Sequence, residues 1–302
     1  MYHLSFNVTA SATATSSVLR THIVRADQSD QRPWLHAAPL CPLLSQHHIA
    51  HTGILEASGA FQITRPDQSG TFFMACCAGE GQVLVDGRWK AIRAGEACLL
   101  PPFVANALKS HEDQSWKFCW VRYLESREST PILSALSPVA GRLDTDPICH
   151  AIAGLHAETA GANNPSALHH WVELIHQYVL GFAQPHRQDE RLWRLWKAVE
   201  DDPGRAWSLQ EFATIACVSE EHLRRLCHSE LGRSPMQHLT FLRMQRARQL
   251  LATTDQKIES IARSLGYENP FSFSNSFKKW IGWRPSDMRQ QKSGNEKRTN
   301  AA

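Results

Sequence analysis

Leu209-Gln210-Glu211-Phe212-Ala213-Thr214-Ile215-Ala216-Cys217-Val218-Ser219-Glu220-Glu221-His222-Leu223-Arg224-Arg225-Leu226 places two short apolar-periodic segments on either side of a tight turn. The arrangement recurs from Ile258 through Ile261, Ala262, Leu265-Gly266-Tyr267 and Asn269-Pro270-Phe271-Ser272-Phe273-Ser274-Asn275-Ser276-Phe277 to Lys278-Lys279. In both stretches apolar residues recur three and four apart, the period of a helix with one buried face. Two such helices joined by a tight turn make a helix-turn-helix unit, whose second helix keeps a polar face free to lie in a DNA major groove. Two copies in one chain predict a protein that reads two adjacent grooves.

Local signals delimit the helices. Pro203-Gly204 stops a preceding helix over 191–200. Ser208 with Glu211 three residues later is a capping box, and Ser219 caps the next helix with Glu220 and Glu221 in its first turn. Asn269 is the cap of the last helix, with Pro270 at the position where a missing N–H costs nothing. Between the units, a connecting helix over 236–252 spans roughly 25 Å at about 1.5 Å per residue. With its turns, that separates the reading helices by about one DNA turn, roughly 34 Å.

The outward faces supply the candidate DNA contacts. In the first unit these are Glu221, His222, Arg224, Arg225 and His228, with the two guanidinium forks matched to guanine edges or phosphate oxygens. In the second they are Phe271, Ser272, Ser274 and Asn275, the amide suited to adenine and the ring to a thymine methyl. Lys278 and Lys279 fit phosphate, adding affinity without sequence information. Arg243, Arg246 and Arg248 on the connecting helix read as solvated or intramolecular. Charge agrees with this division: residues 191–302 hold 19 Lys+Arg against 12 Asp+Glu, whereas 1–190 hold 13 against 17. A basic segment fused to a mildly acidic one suits a nucleic-acid-binding domain joined to a sensor.

Residues 49–124 change register to short β segments: Phe61–Thr64, Thr71–Ala75, Gln82–Asp86, Trp89–Ile92, Ala97–Leu100 and Trp116–Tyr123, separated by turn residues. Asp86-Gly87 is a strong hairpin signal, and many short strands at close spacing favour an antiparallel barrel or sandwich. Two helices follow, over 147–159 and 165–183. The second carries Leu168, Trp171, Ile175, Tyr178 and Phe182 as an apolar seam, which serves either dimerisation or simple coverage of the barrel. Polar, proline-containing residues 184–190 read as the linker, 1–20 as a flexible leader and 291–302 as a disordered tail.

Eight cysteines without a Cys-x-x-Cys pair suggest reduced, buried thiols. With no signal-peptide pattern and no run of roughly 18 apolar residues, the expectation is a soluble cytoplasmic protein that meets no membrane.

From Leu231-Gly232-Arg233-Ser234-Pro235 through Leu242-Arg243, Ala247 and Leu250-Leu251 to Gly266-Tyr267, Gly282-Trp283-Arg284-Pro285 and Arg289, order, spacing and Gly/Pro punctuation resemble AraC/XylS-type transcription regulators. Cys227 departs from the pattern, standing where the family usually has Phe. More weakly, Gly79–Gly87, Ala94–Pro102 and Trp116–Tyr123 resemble that family's cupin-like effector domain. The resemblance implies an α+β two-domain chain: a cupin-like barrel with two following helices over 21–183, then an all-α domain over 191–290 with two helix-turn-helix units joined by a long helix. It further implies a small-molecule effector in the barrel, a homodimer, double-stranded DNA and RNA polymerase as partners, and activation of transcription.

Arg65, Trp116 and Trp120 are the candidate effector contacts. No His-x-His pair occurs in the barrel strands, and Asn106-Ala107-Leu108 stands where the family often has histidine and tyrosine. The ligands of a catalytic cupin metal are therefore missing, and no catalytic residue, metal or cofactor is expected. His47, His48 and His51 cluster before the barrel and read as a surface group of histidines rather than a metal site, since no carboxylate or thiol completes the spacing. The competing readings are a metal-dependent cupin enzyme with structural helices, and a non-specific DNA binder.

Overall fold

The computed structural model describes residues 18–30, 32–65, 70–102, 104–111, 114–125, 130–184 and 189–289. The described N-terminal part is a curled antiparallel half-barrel. In chain order it contains β1 (Val18–Arg25), β2 (Ile49–Ser58), β3 (Phe61–Arg65), β4 (Phe72–Val85), β5 (Arg88–Arg93), β6 (Glu96–Leu100), β7 (Asn106–Ser110), β8 (Ser115–Tyr123) and β9 (Ala140–Arg142). One layer runs β1-β2-β8-β4-β6-β9, while β3, β7 and β5 join around the far half of β4.

β4 makes the curl possible. Sequence reading splits it at Gly79-Glu80-Gly81, yet the ladder continues through that point. It does so by a bulge, where Cys76 faces Phe118 but Ala78 faces Lys117, and by a positive φ of 72° at Gly79. A bulge bends a strand without ending it. The Asp86-Gly87 turn is as expected, with φ of 51° and 71° joining Val85 to Arg88. Strands β1, β2, β7 and β9 are absent from the named sequence segments, since their polar and apolar residues do not alternate cleanly.

Alternation along the strands produces two cores. Phe72, Met74, Cys76, Trp116, Phe118 and Trp120 point into the half-barrel. Phe73, Ala75, Cys119, Val121 and Tyr123 face outward, where α1 (Asp146–Ala160) and α2 (Pro165–Ala183) cover them. The seam of α2 lies on that side: Leu168, Ile175 and Phe182 are buried there, with Trp171 and Tyr178 half-buried against them.

The helical part holds α3 (Glu190–Asp201), α4 (Leu209–Ala216), α5 (Glu220–Leu231), α6 (Pro235–Thr253), α7 (Ile258–Ser264) and α8 (Pro270–Ile281). Trp196, Phe212, Leu223, Cys227 and Leu239 centre one core, and Met244, Ile261, Phe273 and Phe277 the other, so α6 serves both units. Of the expected leader, Val18, Leu19 and Arg20 open β1, while 1–17 lie outside the described residues, as do 185–188 of the linker and the whole tail from 290.

Candidate nucleic-acid interface and effector pocket

Capping sets the pose of each reading helix. The Ser208 hydroxyl accepts from Glu211 N at 3.2 Å while Glu211 Oε2 accepts from Ser208 N at 2.9 Å, completing the box before α4. Ser219 Oγ accepts from His222 N at 3.2 Å, and Asn269 Oδ1 from Phe271 N at 2.8 Å. α6 opens on a second capping box, Ser234 with Gln237, a signal present in the sequence three residues apart. The helix-turn-helix turn after α4 is closed by Cys217 in the left-handed region, φ 54°.

On α5, Glu221, Arg224, Arg225 and His228 are exposed along one side, whereas His222 is half-buried. Arg224 is held by Glu220 at 3.2 Å and Glu221 at 3.6 Å, so its fork is partly engaged within the helix. On α8, Phe271 is 80% exposed, the most solvent-facing large apolar side chain among the described residues. Ser272, Asn275, Lys278 and Lys279 are also exposed, and Ser274 is half-buried. Two connecting-helix arginines work inside the molecule, Arg243 donating to Pro203 O and Arg205 O, both at 2.8 Å, and Arg248 to Pro102 O at 2.9 Å, while the exposed Arg246 donates to Gln249 on its own helix at 2.7 Å. Cys227 is fully buried, with Leu226 packed beside it in the same core.

The N-terminal part docks on both units. Leu136 enters the first helical core and Val104 the second. Arg233, 3% exposed, donates to both carboxylate oxygens of Asp86 at 2.7 and 2.9 Å and lies over the Phe241 ring at 4.0 Å. Backbone bonds run from Val139 N to Leu231 O at 3.0 Å and from Ala105 N to Ile281 O at 3.3 Å. The hairpin turn reaches α8 itself, since a Cβ on Gly87 would come within 3.3 Å of Lys279 O. Asp86 and Arg88 share a cleft of about 490 Å³ with Met236, Gln237, Asn275 and Lys279. Asp86 is legible in the sequence as a hairpin residue and Arg233 as part of the Leu231–Pro235 stretch, but 147 positions apart they carry no local signal of their pairing.

Inside the half-barrel, Trp116 and Trp120 are buried, and their indoles lie so close to Gly81 and Gly53 that a Cβ there would meet them at 2.2 and 2.6 Å. Trp116 Nε1 donates to Cys76 Sγ at 3.2 Å and Trp120 Nε1 to His51 Nδ1 at 2.9 Å. Trp116 and Trp120 are thus both packed in the half-barrel core, Trp120 beside the buried His51. Arg65 lies over Phe72 at 4.3 Å and donates to Asn106 Oδ1 at 3.4 Å. Burial, then the neighbouring Arg32 and Arg122, push Arg65 down to about 9. The guanidiniums of Arg32, Arg65 and Arg122 thus converge at one end, around Asp30 and His51.

Of the expected surface group of histidines, His48 is exposed and His47 half-buried, but His51 is buried and leaves the group. His47 pairs with Glu173 at 2.9 Å and stacks on His176 at 4.1 Å, whereas His51 is buried beside Trp120. Among the described residues no group of three or more His, Cys, Asp or Glu side chains could hold a metal ion, and no helix is long and apolar enough to cross a membrane.

Two family profiles match, one in each part. A profile described as AraC-like ligand binding domain covers residues 64–176, and one described as helix-turn-helix domain covers 212–291. The chain belongs to the AraC family of transcription regulators. Among relatives, the MmsAB operon regulatory protein of Pseudomonas aeruginosa is 27% identical over 234 residues, 72% of this chain and 74% of that protein. The lactose operon transcription activator of Staphylococcus xylosus is 36% identical over 90 residues, 30% of this chain. That match spans about a third of the relative's length, 32%. A solved AraC-type DNA-binding domain protein from Chromobacterium violaceum is 28% identical over 34% of this chain and 92% of its own, with a TM-score of 0.33.

Proposed function

We propose that this AraC-family regulator binds DNA sequence-specifically through α5 and α8 in adjacent major grooves, and activates transcription when an effector occupies the half-barrel. The observation that carries the reading is the pair of capped helices, each with a polar exposed face and each fixed to one end of α6. Arg225 on α5 and Asn275 on α8 read base edges, Phe271 meets a thymine methyl, and Lys278 and Lys279 hold phosphates.

The docked arrangement supports a switch. With Asn275 and Lys279 lining one cleft with Asp86 and Arg88, and the Gly87 turn close to the Lys279 carbonyl, the second reading face is flanked by the chain itself. Effector binding favours a state in which this contact is exchanged for DNA, a shift set by the difference in effector affinity between the two states. The effector sits at the barrel mouth by Arg65 and Trp120 and carries an anionic group, because a buried guanidinium gains most from a charge-assisted partner. The chain acts as a homodimer. Since Leu168, Ile175 and Phe182 are taken up by the core, the dimer contact uses the outer side of α2 around Leu174, with the half-exposed Trp171 and Tyr178. Its chemistry is binding, with RNA polymerase as the downstream partner in the cytoplasm.

Selection of bound duplexes from a random library, using the full chain and segment 185–302 at one salt concentration, tests this. The expected result is two short enriched blocks about 10 base pairs apart. Salt-sensitive binding without an enriched motif would overturn sequence-specific reading and favour a non-specific binder.

A further inference from the structure

The bulge of β4 has a chemical consequence apart from curvature. It turns Cys77 toward the outer face of the sheet, next to Cys119 on β8 and under the start of α1. Thr145, at the head of α1, donates its hydroxyl to Cys76 O at 3.2 Å, which pins the helix start onto that bulge. One turn later Cys149 N bonds Thr145 O at 3.1 Å and its side chain packs against the same layer. The side chains of Cys77, Cys119 and Cys149 thus gather where the bulge packs under the first turn of α1. Cys119 is fully buried, while Cys77 and Cys149 are half-buried and keep a path to solvent.

The three sulfurs are electronically unequal. Hydrogen bonds from Cys119 and then Cys77 hold Cys149 far below the ordinary thiol range, and the Lys117 ammonium adds to this. A position in the first turn of α1 acts in the same sense, because helix N-termini favour thiolates. Cys119 is held up by its bonds to the other two sulfurs and by burial. A thiolate with a second accessible thiol beside it is the arrangement of a peroxide-reactive pair, in which reactivity follows thiolate character and access.

We propose that Cys149 and Cys77 form an oxidation-sensitive dithiol, with Cys149 the thiolate that attacks hydroperoxides, Cys77 the resolving thiol and Cys119 the buried donor that positions the thiolate. The Cys149 sulfur displaces alcohol, or water from hydrogen peroxide, and becomes a sulfenic acid. Cys77 then attacks that sulfur, releasing water and leaving a Cys77–Cys149 disulfide. Two thiols are oxidised by two electrons in all, and one hydroperoxide is reduced to one alcohol and one water. The bond fastens the first turn of α1 to the β4 bulge, and reduction by a dithiol reverses it.

The test treats the full reduced chain with stoichiometric hydrogen peroxide, blocks remaining thiols with an alkylating agent and maps each cysteine by mass spectrometry. The expected product is a Cys77–Cys149 cross-linked peptide that dithiothreitol removes. Without oxidant, Cys149 should alkylate at pH 6 at least ~10-fold faster than the exposed, isolated Cys217. In Cys77→Ser a sulfenic acid should persist at Cys149 and be trapped by a dione, whereas Cys149→Ser should leave Cys77 reduced. Oxidation falling first on Cys217, or a Cys149 rate equal to that in the urea-unfolded chain, would overturn the proposal. Neither readout involves DNA, so the result stands independently of sequence recognition.

Discussion

Arg225 and Arg224 are neighbours on α5 with different freedom. Arg224 is drawn to Glu220 and Glu221, while Arg225 is exposed and makes no ion pair with another described residue. Arg225→Ala should cost about 1–3 kcal/mol on the selected site and much less on scrambled DNA if it reads a base. Equal losses measured by fluorescence anisotropy on both duplexes would make it a phosphate contact. Phe271 offers a cleaner separation. At 80% exposure, Phe271→Ala should leave the urea midpoint nearly unchanged, within about 0.5 kcal/mol, yet weaken binding at the second block. Buried imidazoles set the pH response. Burial, then Arg233, pushes His238 down to about 3, and burial, then His47, pushes His176 down to about 4; burial likewise holds His51 well below its usual value. Each takes a proton more readily when unfolded, so its contribution is complete above about 6.5 and is lost as pH falls toward the folded value. Unfolding free energy should therefore drop between pH 6.5 and 4, by at most about 1.4 kcal/mol per pH unit per group, and His238→Gln should flatten the slope. An unchanged slope would mean His238 stays solvated.

At the scale of elements, the helices were legible because their signals are local. Ser208-Glu211, Ser219 and Asn269-Pro270 state where α4, α5 and α8 begin, and the structure shows each cap bonded. Asn269→Ala should destabilise the chain by about 0.5–2 kcal/mol and, in the binding selection, blur the block read by α8 while sparing the other. Sharp enrichment of both blocks would show that the cap does not set the pose of α8. Strands were less legible. Gly79-Glu80-Gly81 has the composition of a turn, but it lies within β4, because a bulge and a positive φ bend a strand whose neighbours keep it paired. The α2 seam was legible as apolar but not as to its partner. Periodicity shows that a face is buried, not whether the covering surface is a second chain or the chain's own sheet.

Across the whole molecule, Asp86–Arg233 is the polar clasp between the two parts, flanked by Leu136 and Val104 inserted into the helical cores. Asp86→Ala leaves a guanidinium buried without its carboxylate, a cost on the order of 1–3 kcal/mol given that Asp86 keeps a solvent edge. Undocking relieves that cost. The variant should therefore bind the selected site more tightly than the parent without effector, and it should be cut faster by protease between 184 and 190. Unchanged affinity with faster cleavage would mean that docking does not restrain DNA binding. The sequence by itself determined the helix-turn-helix pair, its caps, the Asp86-Gly87 hairpin and the charge division, since each depends on residues a few positions apart. Only the tertiary structure decided that Arg233 meets Asp86, that α2 covers the sheet, that Trp116 is packed core and that Cys77, Cys119 and Cys149 share one spot. Those juxtapositions join residues about 30 to 150 positions apart, and contacts at that range follow from how β4 bends and where the helices dock, which no local pattern encodes.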